Sequence, residues 1–234
     1  MTIGKELPPI QGILWDLDNT LYYLDEALET AFNIAVARAA IEHGIDISLD
    51  DAVSISRESF RTHRYSGYEF MTRYNIPQRD MHFMTDRHLD HSLVQKCEET
   101  CRLFACHTLD HALITHSARP WALGVIERLG LKPWFPDHRV FAFENYDFES
   151  KARSRRPFEM ALSAINRNPE NVMMVEDTLD NLKVPHEMGM KTVFIHHGRT
   201  PDSLPDFVHY HCANARELLE KMQASPEYYS RASG

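Results

Sequence analysis

Basic charge is in deficit in this chain: 25 lysines and arginines face 34 aspartates and glutamates, for a formal net charge of -9. A nucleic-acid or anionic-membrane partner calls for a basic face, so neither is expected. A small anionic substrate stays compatible, because a bound cation and a few placed amides decide that locally. Long apolar runs are missing as well. None approaches the ~20 residues of a membrane span, and Met1 to Pro9 lacks the apolar stretch of a signal peptide. The expectation is a cytoplasmic protein, monomer or homodimer. Cysteine is scarce: Cys97, Cys101, Cys106 and Cys212 make a poor disulfide framework at this length. Cys97 and Cys101 would share one helix face with Cys106-His107 nearby. Without a paired C-x-x-C spacing, buried free thiols are expected there rather than zinc. There is no internal repeat and no low-complexity segment.

What is present is a globular composition, 43% hydrophobic and 25% charged, in a chain long enough for one large or two smaller domains. A polar leader covers about residues 1–11. Ile13-Leu14-Trp15 then runs into Asp16-Leu17-Asp18-Asn19-Thr20-Leu21, which reads as a buried strand ending in a polar turn. From Leu24 to about Phe104 the spacing turns helical, with a first helix stopped near Gly44, a second started by Asp50-Asp51, and a long last helix over about Asp80 to Cys101. Strand and helix alternate after that. Strands are expected at 112–115, 140–143, 171–175, 192–195 and, more weakly, 207–210. Helices are expected after Ser117, from Pro157 to Ile165, from about Asp180 to Gly189, and from Ala213 to Met222. Such alternation predicts an α/β protein with a doubly wound parallel sheet covered on both faces, Rossmann-like, with an all-helical cap inserted after the first strand. The expected division is a core of residues 1–22 and 106–234 and a cap of residues 23–105.

In a doubly wound sheet the crevice beyond the strand C-termini is where ligands sit. Asp16, Thr115 and Glu176-Asp177 all end strands, so they are expected to converge there. The carboxylates are hard oxygen ligands suited to magnesium, and Thr115 offers a hydroxyl to a phosphate oxygen. Lys151 and Arg156 are the candidate cations. His116 is expected either to touch a phosphate or, preferably, to cap the following helix, and Ser117 to start that helix. Tyr22, Tyr23, Arg57, Arg61, His63 and Arg64 could face the remainder of a substrate, although a basic cluster on a helix is more often a solvated face.

Asp16-Leu17-Asp18-Asn19-Thr20-Leu21 resembles the first motif of the haloacid dehalogenase-like hydrolases. Thr115 resembles the second, and Val175-Glu176-Asp177-Thr178-Leu179-Asp180-Asn181-Leu182 the fourth. The form ending in Leu21-Tyr22 is most similar to the branch of pyrimidine 5′-nucleotidases. The resemblance implies an aspartyl-phosphate formed on Asp16, with Asp18 as general acid and then base. It implies magnesium held by Asp16, Asp177, Glu176 and the Asp18 backbone carbonyl, and phosphate held by Thr115, by backbone amides around Asn19 and Thr20, and by the third-motif cation. The third motif departs from the usual Lys-Pro, because Lys151 and Arg156-Pro157 divide its features. The resemblance favours Lys151, since Arg156 lies too close to Asp177 for the family's spacing, and a compact ammonium can also bridge two anions where arginine presents a planar fork. Asp18 favours a phosphatase over a dehalogenase, since only a leaving oxygen needs a proton. The resemblance therefore implies a magnesium-dependent phosphomonoester hydrolase acting on a small phosphorylated metabolite such as a pyrimidine nucleoside 5′-monophosphate. A sugar phosphomutase and a catalytically impaired regulatory relative are the alternatives.

Overall fold

A computed structural model describes residues 10–63, 65–199 and 201–224 of the chain. Most of the expected polar leader, and Arg64, lie outside the described residues. Six parallel strands form one sheet: β1 (Gly12–Trp15), β2 (Asp110–Ile114), β3 (Val140–Phe141), β4 (Val172–Glu176), β5 (Lys191–Ile195) and β6 (Tyr210–Cys212). Their order is β3-β2-β1-β4-β5-β6, and every pairing is parallel. The chain winds outward from β1 through β2 to β3, then returns to the other side of β1 for β4. That reversal opens a crevice between the C-terminal ends of β1 and β4, the place where open α/β sheets bind ligands. Trp15 pairs with Val175 and Leu113, so Asp16 emerges level with Glu176 and with the end of β2.

Alternation along the strands builds two cores. Ile13 and Trp15 face one side with Leu113, Met173 and Val175, against α6 (Arg119–Leu129) and α9 (Ala215–Gln223). Leu14 faces the other with Ala112, Ile114 and Met174, against α7 (Arg156–Ile165) and the short α8 (Lys183–Glu187). The strands are buried on both faces, which explains their nearly continuous apolar character. α6 has proline at its first turn and ends on Gly130, whose φ of +76° is the left-handed conformation that glycine takes without strain.

Between β1 and β2 lie α1 (Glu26–Glu42), α2 (Leu49–His63), α3 (Tyr68–Arg73), α4 (Gln78–Asp86) and α5 (Glu98–Ala105). Asp25 starts α1 by accepting from the Leu28 amide at 2.9 Å. The first four helices share a core around Val36, Ala40, Ala52, Phe70 and Met81. α5 packs on α9, and its Leu103 and Phe104 belong to the sheet's core. The single helix expected over 80–101 is replaced by α4, a 3-10 turn at His91–Leu93 and α5. Asp90 caps that turn through the Ser92 amide, and Val94 is buried with the sheet, so the chain bends back to the core where a helix would carry it onward. Cys97 and Cys106 are exposed rather than buried, and Cys101 donates to the Leu129 carbonyl at 3.1 Å. The last strand lies at 210–212 rather than 207–210, because the Thr192 hydroxyl and the Phe207 carbonyl hold each other at 2.5 Å and fix the approach as a loop.

Candidate active site

Three carboxylates meet in the crevice. Asp16 stands one residue beyond β1, Glu176 ends β4, and Asp177 follows it. One oxygen from each lies within 4.8 Å of the others. Asp16 and Glu176 are 5% and 1% exposed. Lys151 comes from the loop before α7, is itself buried, and donates to Asp16 at 2.5 Å and to Glu176 at 2.7 Å. Burial opposes its charge, but the two carboxylates outweigh that and raise its pKa. One ammonium does not balance three carboxylates. Burial, and then Glu176, push Asp16 up to about 7. Burial also carries Glu176 to about 7, with Lys151 opposing the shift. Asp177 likewise reaches about 7 through burial and the nearby Asp16. An excess of buried negative charge on hard oxygen donors fits a divalent cation such as magnesium.

The turn after β1 is fixed by Asn19. Its φ of +60° is a left-handed conformation that asparagine tolerates better than most residues. Its amide donates to Asp177 at 2.7 Å, and its side-chain oxygen accepts from the Leu24 amide at 3.1 Å. Asn19 thus ties the strand turn both to the acidic cluster and to the start of the helical insertion. Thr20 is buried, its hydroxyl without a hydrogen-bond partner among the described residues.

Asp18 lies on the opposite side of the turn and is gripped by four donors. Tyr22 OH and Trp121 Nε1 reach Oδ1 at 2.5 and 2.9 Å, and Ser117 Oγ and Thr115 Oγ1 reach Oδ2 at 2.6 and 3.2 Å. Burial and then the Asp18 charge raise the Tyr22 pKa well above its ordinary value, keeping it a donor. Thr115 was expected on a phosphate and Ser117 at a helix start, and Trp121 was not among the expected site residues. The signal that could have found Trp121 is weak: an indole N–H in a core helix needs an acceptor.

His116 does not cap α6, whose start at Ala118 has no side-chain cap. Instead its Nε2 accepts the Lys151 amide at 3.1 Å, and its ring lies against Phe143. Burial, and then Lys151, lower its pKa well below the ordinary value, so the ring is a neutral acceptor that shapes the Lys151 loop. Arg156 is not brought to the site; it is half-exposed and pairs with Asp147 and Glu149. Arg61 pairs with Glu58, His63 with Glu69, and Tyr23 is 57% exposed against His197.

A cavity of about 330 Å³ opens from Asp18 and Ser117 toward the helical insertion, walled by Phe32, Phe60, Tyr65 and Phe143. That is the lower end of the range for small-molecule sites. The geometry offers a buried carboxylate beside a cation, a second carboxylate held at the mouth of an organic pocket, and an acidic cluster with the spacing to hold a metal.

A family model described as haloacid dehalogenase-like hydrolase matches residues 10–189. The chain is 25% identical over 228 residues to the glyceraldehyde 3-phosphate phosphatase of Methanocaldococcus jannaschii, covering 90% of this chain and 96% of that protein. It resembles the crystal structure of CbbY from Rhodobacter sphaeroides in complex with phosphate, with a TM-score of 0.65, 19% identity and coverage of 89% and 96%. It also resembles the HAD-hydrolase YfnB from Bacillus subtilis bound to magnesium, with a TM-score of 0.59, 15% identity and coverage of 92% and 98%. At such identities the structural likenesses speak for the fold.

Proposed function

The chain belongs to the haloacid dehalogenase-like hydrolases, and from that membership we propose that it is a magnesium-dependent phosphomonoester hydrolase acting on a small phosphorylated metabolite. The observation that carries the reading is Lys151, buried between Asp16 and Glu176 at 2.5 and 2.7 Å, with Asp177 completing the acidic cluster. Asp16 attacks phosphorus, forming the acyl-phosphate bond as the ester P–O bond breaks. In its protonated form, with one of the hydroxyls that grip it turned aside, Asp18 gives its proton to the departing oxygen, then takes one from the water that hydrolyses the aspartyl-phosphate, regenerating Asp16 and releasing inorganic phosphate. Lys151 neutralises charge where carboxylate and phosphate must meet, an electrostatic contribution that the buried setting strengthens. Asp16, Glu176 and Asp177 would hold the magnesium ion, which supplies Lewis-acid stabilisation of the transferring phosphoryl oxygens.

Thr115, Ser117, Tyr22 and Trp121 act through Asp18 and are positioning residues. His116 sets the Lys151 loop, and Asn19 orients Asp177. The helices α1 to α4 form a cap over the pocket, with residue 25 and the stretch around residues 87–95 as its junctions to the core. The relative named as a glyceraldehyde 3-phosphate phosphatase supports a small substrate. A pyrimidine nucleotide remains one member of the class to be tried.

The test is phosphate release with magnesium over triose, sugar and nucleoside monophosphates, beside Asp16→Asn. Release that vanishes in the variant supports the mechanism, and the preferred ester names the substrate. Undiminished release from Asp16→Asn would exclude Asp16 as nucleophile.

A further inference from the structure

The cavity beside Asp18 differs in charge from the phosphate end of the site. Its carboxylates are Asp18, Glu29 and Asp86, His82 and His116 contribute imidazoles, and among the described residues no lysine or arginine lines it. His82 is paired with Glu144 at 3.1 Å. The nearby cations are committed elsewhere: Arg119 to the Val140 and Asp137 carbonyls at 2.6 and 2.7 Å, Arg87 to Glu42 at 2.9 Å. Lys151 serves the Asp16 end. Asp86 is fixed by the Trp121 amide, which it accepts at 3.0 Å. Thr85 beside it lines the cavity with a buried hydroxyl that has no partner among the described residues. The walls are aromatic, and Thr85 and Asp86 stand at the end of α4, on the side of the helical insertion.

We propose that the leaving group of the substrate is a small, ring-sized organic group that carries no second anionic charge and presents an ammonium or N–H/O–H donor to Asp86, with Thr85 and Glu29 alongside. This deepens the phosphatase reading and rests on it for the position of the phosphate. A second phosphate or a carboxylate on the leaving group would meet Glu29 and Asp86, with Asp18 nearby, and no lysine or arginine among the described residues. The same ground disfavours sugar bisphosphates, and with them a mutase that must hold them in either orientation.

Three aryl phosphates of matched size test the assignment on the whole protein with magnesium: 4-(aminomethyl)phenyl, 4-methylphenyl and 4-carboxyphenyl phosphate. The corresponding benzylphosphonates, which cannot be hydrolysed, report binding alone by calorimetry. Both kcat/KM and affinity should fall from the cationic to the anionic compound by about tenfold or more, as expected for a like charge at close range in a half-buried site. Glu29→Lys, on an exposed position, should bring the anionic ester to within about threefold of the neutral one. Asp86→Asn, which keeps the acceptor for the Trp121 amide, should abolish the preference for the cation. Ordered phosphonate binding without hydrolysis of any ester would leave the pocket assignment standing and remove the phosphatase reading. Equal treatment of the three compounds by the unmodified protein, including no measurable binding of any, would overturn the assignment.

Discussion

Lys151→Met is the most informative single perturbation for stability. The substitution keeps an unbranched apolar stem and removes only the ammonium. In the native protein that ammonium makes charge-assisted hydrogen bonds of 2.5 and 2.7 Å to two carboxylates that are at most 7% exposed. Without it, Asp16, Glu176 and Asp177 are left together in a buried space with no cation. Breaking a buried pair in this way typically destabilises by about 3–5 kcal/mol, and the third carboxylate argues for the upper part of that range at pH 8 without metal. The penalty should shrink on acidification. In the fold, Asp16 and Glu176 titrate near 7, whereas in the unfolded chain carboxyls titrate near their ordinary value of about 4. Between those values the folded state holds protons that the unfolded state has lost, so the contribution of these groups declines as pH rises and levels off above 7. Once the carboxylates are neutral, the missing cation matters less, and at pH 5.5 the loss should fall to about 1–3 kcal/mol. Urea denaturation of both proteins at the two pH values, in chelator, measures this directly. A loss below about 1 kcal/mol at pH 8, or one that grows on acidification, would refute the burial argument.

Other outcomes follow from the same geometry. Magnesium should raise the melting temperature more at pH 8 than at pH 5.5, because it competes with protons for Asp16, Glu176 and Asp177; at a hundredfold excess over Kd the gain is about 2.7 kcal/mol. Tyr22→Phe and Trp121→Phe each remove one donor from Asp18 Oδ1 and should lower kcat about tenfold with KM little changed. A change in KM alone would count against the positioning role. Arg156→Ala should leave kcat within about twofold, since its partners Asp147 and Glu149 are both exposed surface groups.

The sheet was legible because buried parallel strands are continuous apolar runs, and because Asp16 and Glu176-Asp177 follow two of them directly. The choice of Lys151 over Arg156 rested on the motif spacing that the resemblance implies and on the chemistry of a point charge, and the structure brings the lysine to the carboxylates and leaves the arginine outside. What could not be read was convergence over long separations. Trp121 and Ser117 reach Asp18 across 103 and 99 residues, and neither residue type in a helix start announces such a partner. The helical insertion misled differently. Helix spacing runs through residues 80–101, but Asp90 as a cap and Val94 as a core residue turn the chain where periodicity alone would extend it.

The central claim is that Asp16 itself carries the phosphoryl group. The direct measurement uses Asp18→Asn with 4-nitrophenyl phosphate beside the preferred ester. The variant loses the water-activating base, so hydrolysis of the intermediate is slowed, and it loses the acid too, which the nitrophenyl leaving group does not need. Rapid acid quench during turnover of either ester, followed by peptide mass analysis, should find an alkali- and hydroxylamine-labile phosphoryl group on the peptide containing Asp16. Phosphate release with no phosphorylated peptide, or with the group on any other residue, would contradict the account.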